Sequence, residues 1–315
     1  MKIVNFTAEG SRQLGFLLDN ELVAPLATTI GKQPENRPLF ADTVSFIRSG
    51  EAGRKVADAI VNSGEGRRSL ESARLTAPIL PSTILCSGSN YLAHNAEKVA
   101  APISGKEPEF FVMTSDCVVG PGEPIIYDPE LTRKLDCETE LAIVIGREGR
   151  HIPVEKALDH VFGYTVANDV TARDRQVRRS PEGFTWYEVG RGKAFDSSSP
   201  LGPSIVTADE IGDPQTLMLR TRINGEPRQS SPTSDMIWTC ADLIHFFSIN
   251  FTLRPGMVIL TGTPGGTAWS TDAELGGKWQ GQEGLVAATR YCLPGDVIES
   301  EIDRIGVLIN TVVHV

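Results

Sequence analysis

The sequence contains no apolar run near the roughly 20 residues that a helix needs to cross a bilayer, so no membrane association is expected. It contains no C-x-x-C pair. Its five cysteines, Cys86, Cys117, Cys137, Cys240 and Cys292, are scattered, which counts against zinc ribbons and thioredoxin-like redox motifs. Each reads as a small buried hydrophobe. Positive charge is in deficit as well: 30 Lys and Arg face 40 Asp and Glu, a formal net charge of −10. Nucleic-acid binding, which needs a basic face, is therefore not expected, and an anionic ligand would have to be met by local cations. The first 20 residues lack the basic, apolar and small-residue order of a signal peptide. With an odd number of thiols, that leads to an expected cytoplasmic location. Tandem repeats, low-complexity tracts and long charge blocks are also missing.

What the chain does have is length enough for a large buried core (315 residues), 40% hydrophobic residues, and 30 Gly with 20 Pro dividing many short apolar runs. Runs such as STILCSGS, ELAIVIG, VFGYTVAND, MVILTGTP and VLINTVVHV read as strands. Helices are expected over about 44–61 and near 91–100, 154–160 and 236–248. The fold class is α+β and β-rich. A polar connector, SGEGRRS, precedes a boundary near 64–78, giving a small N-terminal α+β domain over 1–75 and a larger catalytic domain over 76–315.

The most informative segment is Cys137-Glu138-Thr139-Glu140 leading into Leu141–Gly146. On a strand, Glu138 and Glu140 point to the same face at a spacing of roughly 6–7 Å. No Lys or Arg lies on that strand, and two like charges entering a buried strand repel. Alone, such a pair is most often an exposed strand end. A second strand-like run, Phe162–Asn168, ends in Asp169, which alone would read as a helix N-cap. Together the three carboxylates suit a hard divalent cation, Mg2+ or Mn2+ and also Ca2+, better than zinc. His94 and Glu97, three residues apart, share a helix face. As a surface ion pair they would matter little; as a dyad, the carboxylate orients the imidazole as a general base. Lys193, in the loop GRGKAFD, suits a carboxylate or enolate. The turn Thr261-Gly262-Thr263-Pro264-Gly265-Gly266 can bind a carboxylate through its amides. It is not a nucleotide P-loop, since the lysine is missing.

In this order, GSNYLAHNAE, ETELAIVIG, GYTVANDVTARD, GKAFDSSSPLGP, INGE with Gln229, TGTPGG and LPGDVIESEIDRIGVLIN resemble the fumarylacetoacetate hydrolase family over about residues 80–315. The resemblance implies a mixed β-sandwich-like roll and a homodimer. It implies Glu138, Glu140 and Asp169 as ligands of Mg2+ or Mn2+, His94 and Glu97 as the water-activating pair, and Lys193 as a catalytic lysine. It further implies Thr263, Tyr91, Arg173 and Gln176 as substrate contacts. Two departures stand out. Met113 occupies the place of a family lysine, which questions the acidic end of the usual substrate. A long insertion over 267–292 carries Trp269 and Trp279, which either line a larger, more apolar pocket or anchor a surface loop, the anchor being the preferred reading. The expected activity is metal-dependent hydrolysis of a carbon–carbon bond in an acylpyruvate-like 2-oxo acid or diketo acid. The alternatives are a 2-oxo acid decarboxylase, isomerase or hydratase using the same enolate chemistry, and a non-catalytic binding protein.

Overall fold

The computed structural model describes residues 1–8, 10–97 and 105–315. Its centre is the strand Thr139–Ile145, buried at every position. The continuous β-branched run in its sequence suits a strand covered on both faces. It pairs antiparallel with Val161–Asn168 on one side and with Val258–Leu260 on the other. Side-chain alternation then divides the core. Leu141, Ile143 and Ile145 pack with Leu243, Ile244 and Phe247 of the helix Cys240–Asn250. Ala142 and Val144 face Phe46 and Ile47 of the helix Thr43–Ser63. Complete burial of each such aliphatic side chain contributes about 1.5–3 kcal/mol.

The two helices begin where their sequences provide caps. Asp42 accepts a bond from the Ser45 amide at 2.7 Å, and Thr239 with Asp242 forms a reciprocal capping box. The first helix is interrupted at Gly50 (φ +56°) and ends at Gly64 (φ +74°), two left-handed positions. The segment expected as a helix near 154–160 is a 3-10 helix, Val154–His160. The one expected near 91–100 is the short helix Leu92–Ala96, and residues 98–100 lie outside the described residues.

Two sheets make up the roll. The larger one carries the central strand and ends at the strands Ile84–Gly88 and Glu109–Met113. The second has five strands, including Met218–Ile223, Glu226–Pro232 and Val297–Ile302. Leu219, Ile302 and Leu308 of the second sheet share a core with Leu141 and Val166 of the first. The N-terminal residues extend the large sheet: Lys2–Ala8 pairs with Ser199–Thr207, Lys2 opposite Val206. Ile3, Leu14 and Phe16 share a core with Ala142, Val144 and Leu260. No helix among the described residues is long and apolar enough to cross a membrane.

Candidate active site

The register of the central pair brings the carboxylates together. Thr139 lies opposite Asn168, and Glu140 opposite Ala167. Asp169, one residue past the end of its strand, therefore arrives beside Glu138, and its amide donates to the Glu138 carbonyl at 2.8 Å. Glu138, Glu140 and Asp169 are all buried, and one oxygen from each lies within 4.8 Å of the others. The Gly262 amide donates to Glu140 at 2.7 Å. That residue has φ +91°, and a Cβ there would stand 2.7 Å from Asn90 Cβ, so glycine is required for the approach.

Two buried cations face the three acids. Lys193 Nζ donates to Glu138 at 2.5 Å and to Asp169 at 2.6 Å. Arg173, fully buried, donates to Glu138, to Gln176 at 2.9 Å and to Asp136 at 2.8 Å. These contacts set the electrostatics. Burial would raise the Glu138 pKa, but Arg173 and Lys193, joined by His94 whenever its imidazole is protonated, outweigh it and hold that carboxyl well below the usual range. Burial pushes Asp169 up to about 6, with Lys193 opposing and Glu138 adding to the rise. Burial and the charges of Asp169 and Glu138 drive Glu140 well above its ordinary value. Two of the three acids are thus short of positive charge, and the buried Asp169 Oδ1 has no hydrogen-bond partner. Three converging hard oxygens with an orphaned one among them fit a divalent cation.

His94 and Glu97 are buried, not a surface pair. His94 Nδ1 lies 3.1 Å from Glu97, and Nε2 lies 3.8 Å from Glu138. Glu97 is itself held by the Gly266 amide at 2.6 Å and by Thr267 at 3.4 Å. With Nδ1 donating to Glu97, the Nε2 lone pair is turned toward the triad, a tautomer assigned from this network.

A cleft of about 650 Å3 opens over these groups, lined by His94, Glu138, Glu140, Asp169, Arg173, Gln176, Lys193 and Thr263. Glu97 stands behind His94, outside the lining. Thr263 commits its hydroxyl to the Thr139 carbonyl (3.1 Å) and to Gln229 (2.8 Å). Tyr91 is placed elsewhere: it is fully buried in the core with Leu85 and Leu243, and does not line the cleft. Met113 likewise faces the core, so the site of the missing lysine is not a cleft position.

One contributor escaped the sequence reading, and another holds the less favoured of its two expected places. Asp136, buried, accepts from Arg173 and from the amides of Cys137, Ala268 and Trp269 at 2.8–3.1 Å. Its signal was the run Asp136-x-Glu138-x-Glu140. Trp269, read as a loop anchor, is a cleft wall. Its ring stacks under the Arg173 guanidinium (5.0 Å) and lies 6.3 Å from the His94 ring. Trp279 is half-buried and outside the lining.

A strand-borne acidic triad with a histidine–glutamate pair at the mouth of a mixed β-roll defines a class, and the model of the fumarylacetoacetate (FAA) hydrolase C-terminal domain matches residues 83–313. The chain belongs to the fumarylacetoacetate hydrolase family. Among its relatives, oxaloacetate tautomerase fahd2, mitochondrial, of Xenopus laevis is 40% identical over 270 residues, covering 85% of this chain and 77% of that protein. The structure of maleylpyruvate hydrolase from Sphingobium sp. SYK-6 in complex with manganese(II) ion and pyruvate matches with TM-score 0.74 and 28% identity. That match covers 100% of this chain and 99% of the other. A 5-carboxymethyl-2-hydroxymuconate delta-isomerase from Mycobacterium smegmatis matches with TM-score 0.69 and 29% identity, over the full length of both chains.

Proposed function

We propose that the protein moves a proton at the carbon beside the ketone of a small 2-oxo acid, interconverting keto and enol forms as in oxaloacetate tautomerisation. One observation carries this reading: a buried imidazole, fixed through Nδ1 by Glu97, turns Nε2 toward the carboxylate triad at the floor of the cleft. Nε2 takes the proton from carbon and returns it to oxygen or carbon. Arg173 and Lys193 offset the negative charge that develops on the oxygen. Glu138, Glu140 and Asp169 would hold Mg2+ or Mn2+, which when bound supplies Lewis-acid polarisation of the ketone. The fahd2 relative, named a tautomerase, supports the isomerase side over the hydrolytic cleavage expected from sequence.

Hydrolysis of an acylpyruvate stays as the second reading, because the same dyad can deprotonate water and a maleylpyruvate hydrolase shares the fold. The separating experiment follows the loss of enol absorbance with enol-oxaloacetate and with a panel of acylpyruvates, in Mg2+ and in Mn2+. Equilibration of oxaloacetate without acylpyruvate cleavage supports tautomerisation. Cleavage products with no acceleration of oxaloacetate equilibration overturn it in favour of hydrolysis. A homodimer and a cytoplasmic location belong to the same proposal. Sedimentation at micromolar concentration and fractionation of cells test them.

A further inference from the structure

We propose that, among 2-oxo acids long enough to reach its rim, the cleft selects those with an uncharged aromatic or apolar tail over those of matching length ending in a second carboxylate, with Glu107 and Glu109 as the discriminating residues. The inference rests on reading the inner site as the seat of the 2-oxo acid head group. A cleft of about 650 Å3 is far larger than a four-carbon acid requires and falls in the range of much bigger ligands.

The two ends of the cleft differ in chemistry. Its cations, Arg173 and Lys193, lie at the floor, and both are already paired with Glu138 or Asp169. Phe111 and Trp269 are buried beside them, 5.6 Å from Lys193 and 5.0 Å from Arg173, while Tyr187 and Val189 are half-buried and Glu107 and Glu109 are exposed at the rim. Glu109 is the cross-strand partner of Gly88, another lining residue, and its Oε2 is 3.9 Å from the point where a Cβ on Gly88 would sit. Its charge also reaches across to Tyr187, adding to burial in raising that phenol's pKa. Lys106, next to them, is exposed and outside the lining. Among the described residues the outer lining thus offers apolar contact and negative charge, with no cation to receive a distal carboxylate.

Selection of this kind works by repulsion. A ligand carboxylate several ångströms from two rim carboxylates in a wet opening loses about fivefold to tenfold in affinity. The loss should shrink at high salt, since the rim is solvent-exposed.

The test uses magnesium-loaded protein and a matched pair of probes, 4-phenyl-2,4-dioxobutanoate and its 4-(4-carboxyphenyl) counterpart, with dissociation constants read by calorimetry. The phenyl compound should bind at least fivefold more tightly. The ratio should fall below twofold in Glu107→Gln/Glu109→Gln, and the preference should reverse in Glu109→Lys. Both residues are exposed, so the substitutions leave the core intact. Equal or tighter binding of the carboxylated probe by the wild type overturns the inference, as does an unchanged ratio in the double variant or no binding of either probe. A preserved ratio without oxaloacetate tautomerisation would sink the functional reading alone; tautomerisation with a lost ratio would sink this inference alone.

Discussion

Replacing Asp136 by Asn changes one atom and one charge in a place where four donors converge. Oδ1 accepts from the amides of Cys137 (2.9 Å) and Ala268 (3.0 Å), and Oδ2 from Arg173 Nε (2.8 Å) and the Trp269 amide (3.1 Å). An asparagine has one acceptor oxygen, so whichever way the amide turns, its NH2 confronts two donors. Arg173 is fully buried, and its other side-chain hydrogen-bond partners among the described residues are Glu138 and Gln176. Removing one partner of a buried ion pair costs about 3–5 kcal/mol. For a chain of this size that corresponds to a melting temperature lower by about 5–10 °C. The guanidinium should also swing further onto Glu138, weakening divalent-cation binding. Differential scanning calorimetry, with Mn2+ affinity measured in parallel, reads both effects. A variant melting within about 2 °C of wild type with unchanged Mn2+ affinity would refute the idea that Asp136 anchors Arg173 and the site.

His94→Ala should lower turnover by about a hundredfold or more, the usual scale for loss of a general base, with little change in cation affinity; Glu97→Gln should give a milder loss, and steady-state kinetics with Mn2+ titration checks both. Glu140→Gln should cut Mn2+ affinity sharply, read by electron paramagnetic resonance of free Mn2+. Cation binding should weaken as pH falls through about 6, because protonation of Asp169, whose pKa is raised to about 6, competes with the ion; above that value the carboxylate is free to bind. An affinity flat between pH 5.5 and 7.5 would contradict that electrostatic picture. Gly266→Ala should impair folding or activity, since this residue has φ +110° and a Cβ would stand 1.9 Å from the Arg228 carbonyl oxygen; circular dichroism and activity together test it.

The grouping of Glu138, Glu140 and Asp169 was legible because strand alternation and a strand end are local properties. So were the approximate spans of the helices near 44–61 and 236–248. The attachment of residues 1–8 to Ser199–Thr207 was not, because a pairing across some 200 residues leaves no mark in either segment's composition. Tyr91 reads like a site residue by its neighbours in sequence, yet its bridge to Met236 draws it into the core. Trp269 could be placed only once the insertion was seen to fold back over Arg173. Asp136 was overlooked because an acid before a strand is common, and its importance lies in donors from residues 173, 268 and 269.

The register between Thr139–Ile145 and Val161–Asn168 has a consequence for how this site can change. Sliding either strand by one residue would turn Glu140 to the opposite face and bring apolar side chains into the cleft. The core packing and the ligand set are therefore specified by the same pairing, and neither can drift without the other. Residues outside the large sheet are under no such constraint. Glu107, the short hairpin strand Thr185–Tyr187 and Val189 border the cleft without belonging to that sheet. Substitutions there can reshape what the protein accepts while the chemistry at its floor stays as it is, so a new substrate range is reachable through changes that the central sheet never registers.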